Sequence, residues 1–125
     1  MKLRVARHTA SLQPVVDFYC SVLGLQVLGS FNDHDGYDGV FLGLPGLGWH
    51  LEFTQSSEEP VHQPDEDDLL VFYLSDVTDQ IAIVERYEAF GGIVLEAKNP
   101  YWNSNGATIA DPDGFRIVIA IAKTT

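Results

Sequence analysis

The chain has 125 residues, 46% of them hydrophobic, enough for the core of one domain. Its 18 acidic and 7 basic residues give a net charge of −11, which argues against a nucleic-acid surface, since phosphate contacts need clustered Lys and Arg. No apolar run reaches the roughly 18 residues that a membrane span requires.

In chain order, Met1-Lys2-Leu3-Arg4-Val5 enters a strand pattern directly, offering no signal-peptide core, and the strand reads as Leu3–Thr9. Ser11 is placed as an N-cap. Leu12, Val15, Val16, Tyr19, Val22 and Leu23 then recur at helical spacing until Gly24 ends the helix. Cys20, the only cysteine, sits mid-helix and reads as structural; it excludes an internal disulfide and fits a cytoplasmic setting. Strands follow at Leu25–Ser30, Val40–Leu44 and Trp49–Gln55, with turns at Asp35-Gly36, Asp38-Gly39 and Pro45-Gly46. His34, Asp35 and Asp38 read as an exposed hairpin turn, and Gly43-Leu44-Pro45-Gly46-Leu47-Gly48 lacks the Lys and helix of a phosphate loop.

Residues 56–68 carry Glu58, Glu59, Asp65, Glu66, Asp67 and Asp68 between prolines and read as a solvated acidic linker; His62 within it carries no signal. The plan then repeats. Leu69–Leu74 is a strand, a helix runs from Thr78 to Phe90 and stops at Gly91-Gly92, and strands are expected at Ile93–Ala97, Ala107–Ala110 and Phe115–Ala122. Tyr101-Trp102-Asn103-Ser104-Asn105-Gly106 reads as a polar turn. Tyr19, Gly24 and Leu25 match Tyr87, Gly92 and Ile93 at a constant offset, so the residues alone support a duplicated α+β chain: 1–55, a linker at 56–68, and 69–125.

Two segments carry a family resemblance. Asp111-Pro112-Asp113-Gly114 forms a turn feeding the apolar Phe115-Arg116-Ile117-Val118-Ile119-Ala120, and the helix Ser11 to Tyr19 precedes Leu23-Gly24-Leu25. The chain thereby resembles the vicinal oxygen chelate superfamily, the glyoxalase, bleomycin-resistance and extradiol dioxygenase group, over essentially its whole length. The resemblance implies two tandem βαβββ modules whose mixed sheets curl around a shared cleft, and a homodimer. One fold of this kind hosts many functions, so the reaction does not follow from it.

Metal-dependent members ligate a divalent ion from the first and last strands of each module. Carried onto this chain, those positions fall on Arg4, Glu52, Leu70 and Val118. Only Glu52 can ligate, since Arg has no acceptor and Leu and Val no lone pair, so the inherited metal site is expected to be lost. An inward carboxylate needs a cation, which predicts an Arg4–Glu52 ion pair; the bland alternative leaves both solvated.

Strand alternation puts Arg4, Ala6 and His8 on one face, and His50 with Glu52 on one face. His8, His50 and Glu52 are therefore candidate catalytic residues. Two His and a carboxylate form an open triad for iron, so the alternative to a metal-free site is a divalent-metal-dependent lyase, isomerase or dioxygenase using these three. His8 or His50 acting as an acid–base group without metal is a further option. Phe72, sharing a face with Leu70, would make an apolar wall, and Trp102 would stack on a flat or cationic ligand, whereas Trp49, Leu51 and Phe53 read as core. The leading expectation is a protein of the bleomycin-resistance type that sequesters a drug or metabolite without metal. Its small, cationic or aromatic ligand would be contacted by Arg4, His8, His50, Glu52, Phe72 and Trp102.

Overall fold

The computed structural model describes residues 1–122; the last three residues of the expected second module, 123–125, lie outside the described residues. The chain divides into two units, Met1–His62 and Gln63–Thr125. No helix among the described residues is long and apolar enough to cross a membrane.

In the first unit, strand β1 (Leu3–His8) leads to helix α1 (Leu12–Asp17), which continues as a π-helical turn over Phe18–Val22. Strands β2 (Gln26–His34), β3 (Tyr37–Gly43) and β4 (Trp49–Gln55) complete a sheet of order β1-β4-β3-β2. The first and last strands run parallel and adjacent, as the resemblance implies, and the other pairs are antiparallel. Ser11 takes the extended N-cap conformation, but its side chain makes no capping bond. Gln55 does that work instead, its Oε1 accepting from the Leu12 N–H at 3.0 Å. Gly24 closes the helix at φ 79°, in the left-handed region that glycine enters without penalty.

Val15, Phe18, Tyr19 and Val22 form the buried face of this helix. The Tyr19 ring lies 4.9 Å from that of Phe53, which puts Phe53, and with it Leu51 and Trp49, on the helix side of the sheet. Burying such side chains is worth about 1.5–3 kcal/mol each, so this layer dominates the unit's stability. The β2–β3 hairpin turns through Asp33 and Asp35 at positive φ, where a short acidic side chain is tolerated, and the Asp38 carboxylate accepts from the Asp33 N–H at 2.8 Å. The turn itself is Asp35-Gly36; His34 ends β2, and Asp38 and Gly39, expected in a turn, lie inside β3 with Asp38 half-buried, because the hairpin's strands run further than their apolar patterns.

In the second unit, β5 (Leu69–Leu74), α2 (Val77–Ala89), α3 (Tyr101–Asn105), β6 (Gly106–Ala110) and β7 (Arg116–Ile121) follow in order, with sheet order β5-β7-β6 and β5 parallel to β7. Asp76 caps α2, accepting from the Thr78 N–H at 2.8 Å, and these hydrogen bonds hold its carboxyl below the usual range. The Asp111 carboxylate is buried and accepts from the N–H groups of Asp113 and Phe115 at 2.9 and 3.0 Å, which fixes the turn into β7.

Two expectations fail here. Ile93–Ala97 is not a strand: it meets the sheet at a single bridge, Leu95 to Thr108, and Ile93 is 77% exposed. The Asn103 side chain bonds both the N–H and the C=O of Ala97, so the backbone there is satisfied without a ladder. The expected polar turn at 101–106 is instead the short helix α3, opened by the Asn99 side chain accepting from the Tyr101 N–H at 3.1 Å.

Candidate functional site

The face of the first sheet opposite the helix collects the chemistry. Register aligns Arg4 with His50, Ala6 with Glu52 and His8 with Thr54 across β1 and β4; Glu52 with Phe41 and Thr54 with Gly39 across β3; Gly39 with Phe31 and Phe41 with Gly29 across β2. Partners in register share a face, so Arg4, His8, His50, Glu52, Phe41 and Phe31 lie on one side. The glycines give the aromatic rings room. A Cβ at Gly39 would fall 2.2 Å from Phe31, so only glycine lets that ring lie across β3. The rings of Phe31 and Phe41 stand 5.8 Å apart and tilted, making an aromatic floor.

Arg4 does not pair with Glu52. Its Nε–H donates to His50 Nε2 at 2.8 Å, and its Cζ lies 4.8 Å from the centroid of the Phe41 ring. The expected ion pair fails for a reason of register: His50 is directly across from Arg4, while Glu52 is opposite Ala6, about 7 Å further along the strand. A guanidinium can only donate, so His50 Nε2 accepts and the ring is neutral with its proton on Nδ1. His50 is buried, whereas Arg4 is exposed. Among the described residues, neither Glu52 nor the two Nη groups of Arg4 have a hydrogen bond or ion pair.

His8 serves the backbone. Its Nδ1 lies 2.8 Å from Thr54 Oγ1, and its Nε2 lies 2.9 Å from the Glu58 carbonyl and 3.1 Å from Ser56 Oγ. His62, which carries no signal in the sequence, donates from Nε2 to the His8 carbonyl at 2.7 Å. Together the two histidines pin the start of the acidic linker to β1 and β4.

These assignments test the fit of a divalent ion. Both ring nitrogens of His8 are engaged, His50 Nε2 faces a permanent cation, and only Glu52 offers an unengaged donor. Among the described residues, no three His, Cys, Asp or Glu side chains gather closely enough to hold a metal. The residues present do not fit the ion that the superfamily's metal-dependent members carry.

On the second sheet, Leu70 aligns with Ile117 and Phe72 with Ile119, while Val118 aligns with Val71. Leu70 and Phe72 therefore lie on the face opposite Val118, so Leu70 and Val118 cannot share one site. Matching Trp49-His50-Leu51-Glu52-Phe53 to Phe115-Arg116-Ile117-Val118-Ile119 makes Phe72's face the equivalent of Phe53's, a core face. Trp102 lies on α3, half-buried, its ring edge-on to Tyr101 at 4.9 Å. Sequence reasoning missed Phe41 and Phe31; the alternation Gly39-x-Phe41-x-Gly43 was the available signal. The Cys20 thiol is pushed up by burial and then by Asp17, which disfavours the reactive thiolate.

A helix-backed mixed sheet occurring twice in one short chain, with parallel first and last strands, is the glyoxalase/bleomycin-resistance fold of the vicinal oxygen chelate superfamily. Residues 3–54 match the YycE-like N-terminal domain and residues 67–120 the YycE-like C-terminal domain. The chain is 44% identical over 125 residues to the uncharacterized protein YycE of Bacillus subtilis (strain 168), spanning 98% of this chain and 88% of that one. It belongs to the YycE-like family. The crystal structure of a Bacillus subtilis YycE protein of unknown function, suggested to be a glyoxalase/fosfomycin resistance protein, superposes with TM-score 0.88 at 42% identity, covering 99% of this chain and 91% of that one. The trypanothione-dependent glyoxalase I of Leishmania major shares the fold at TM-score 0.76 and 21% identity, covering 97% and 86%. So does TnmS3, an antibiotic binding protein from Streptomyces sp. CB03234, at 0.68 and 20%, covering 98% and 96%.

Proposed function

We propose that this chain binds a small organic ligand on the open face of its first sheet, without a resident metal, and acts by sequestering a drug or metabolite. The observation that supports this reading most is the Arg4 Nε to His50 Nε2 bond of 2.8 Å. Arg4, a permanent cation at a position that the resemblance gives to a metal ligand, binds His50 and puts a positive charge on this face in place of an ion. Arg4, His50, Glu52 and Phe41 are the proposed site; His8 belongs to the scaffold. A homodimer in the cytoplasm is part of the proposal, in keeping with the superfamily resemblance and the single thiol.

The test is elemental analysis of the purified protein, with thermal unfolding against Mn, Fe(II), Ni and Zn. A metal present at 100 times its Kd would stabilise the fold by about 2.7 kcal/mol. The expected outcome is no stoichiometric metal and no shift in Tm. A stoichiometric ion, with a Tm rise abolished by Glu52→Ala, would refute the proposal.

A further inference from the structure

We infer that the ligand presents a planar carboxylate to Arg4 and lays a flat apolar body on Phe41 and Phe31; this rests on the reading of the open face as a small-molecule site. The guanidinium is held at two points, through Nε to His50 and over the Phe41 ring. Arg4 is exposed, and with Nε engaged the end of the fork formed by Nη1 and Nη2 has no partner among the described residues. Two parallel N–H donors in a fixed plane match the two oxygens of a carboxylate. A wandering surface arginine would lose its freedom on binding, but this one is already ordered by its anchors.

The aromatic floor completes the fit. Phe31 and Phe41 are both half-buried, so each keeps ring surface exposed beside the guanidinium. Phe41 lies under Arg4 and in register with Glu52, which places the cation, the ring and the acid side by side. Glu52 then accepts from a hydroxyl or amine on the ligand rather than serving as its main anchor.

The net charge of −11 argues the other way, toward a cationic ligand. That field is screened beyond about 8 Å at physiological ionic strength, whereas the guanidinium acts at contact. A cationic ligand lying on Phe41 would sit against a fixed positive charge. Local geometry therefore outweighs overall charge in choosing the sign of the ligand.

The experiment titrates the full chain with 2-naphthoate, the neutral 2-naphthamide and the cationic 2-naphthylmethylammonium, with binding followed by NMR. Naphthoate is expected to bind at least about ten-fold more tightly than either isostere. Arg4→Gln and Arg4→Lys should both reduce naphthoate to the level of naphthamide, because Lys keeps the charge and loses the fork. Equal or tighter binding of the amide or the ammonium probe overturns the inference, as does naphthoate binding retained in folded Arg4→Gln. If the amide or ammonium probe binds and Phe41→Ala abolishes it, the small-molecule site stands and only its carboxylate preference falls. If no probe binds, the inference falls, and the metal titration decides the broader reading separately.

Discussion

The substitution His8→Ala separates a scaffold histidine from a catalytic one. It removes the bond of Nδ1 to Thr54 Oγ1 at 2.8 Å and that of Nε2 to the Glu58 carbonyl at 2.9 Å, with the Ser56 hydroxyl contact at 3.1 Å. The His62 bond to the His8 carbonyl involves backbone and survives. A neutral hydrogen bond contributes about 0.5–1.5 kcal/mol net; the Thr54 bond lies within the sheet, so the linker itself loses only the Nε2 contacts, about 1 kcal/mol. The linker share of the loss falls on local opening of residues 56–62, while the Thr54 bond and the Tyr37 ring contact are lost from the sheet. Cleavage by a Glu-specific protease after Glu58 reports that opening when reclosing is fast, since Pro60 protects the bond after Glu59. At about 1.4 kcal/mol per factor of ten, its rate should rise about 3- to 12-fold, while global Tm falls modestly and ligand binding changes little. A cleavage rate within about two-fold of the parent, or loss of ligand binding with the linker still closed, would refute the scaffold role.

Gly39→Ala is expected to destabilise by about 1–2 kcal/mol, since the new methyl displaces the Phe31 ring, and to weaken aromatic probes in the same NMR titration without touching Arg4. Asp76→Ala tests the α2 cap. The Thr78 N–H bond lowers the folded-state pKa of Asp76, so its contribution is present above the unfolded carboxylate pKa of about 3.9 and is lost as pH falls through the folded value. The variant should therefore have a lower Tm than the parent near pH 6, with the gap closing as the pH falls below about 4.

The fold was legible because its signals are local. Asp111 to Gly114 forms the turn that its composition specifies, with the buried carboxylate holding two backbone N–H groups. Gly24 and Gly91 sit at positive φ where a helix stops. Trp49–Gln55 and Leu69–Leu74 are strands at the expected bounds. Where prediction failed, a side chain from elsewhere took over backbone bonds: Asn103 satisfies Ala97 and removes a strand, and Gln55 replaces the Ser11 cap.

The site was legible only in part. Alternation along β1 and β4 places Arg4, His8, His50 and Glu52 on one face, and that much follows from the period of two in any strand. Alternation does not say how far one strand slides against its neighbour. That offset set Arg4 opposite His50 instead of Glu52, put Phe72 on the face away from Val118, and brought the Glu58 carbonyl to His8. The sequence by itself determined the duplicated α+β plan and which side chains share a face along each strand. Tertiary structure alone decided which partner each polar group found, because hydrogen bonds depend on ångström-scale distances across strands and strand register is not encoded by any one strand's own pattern.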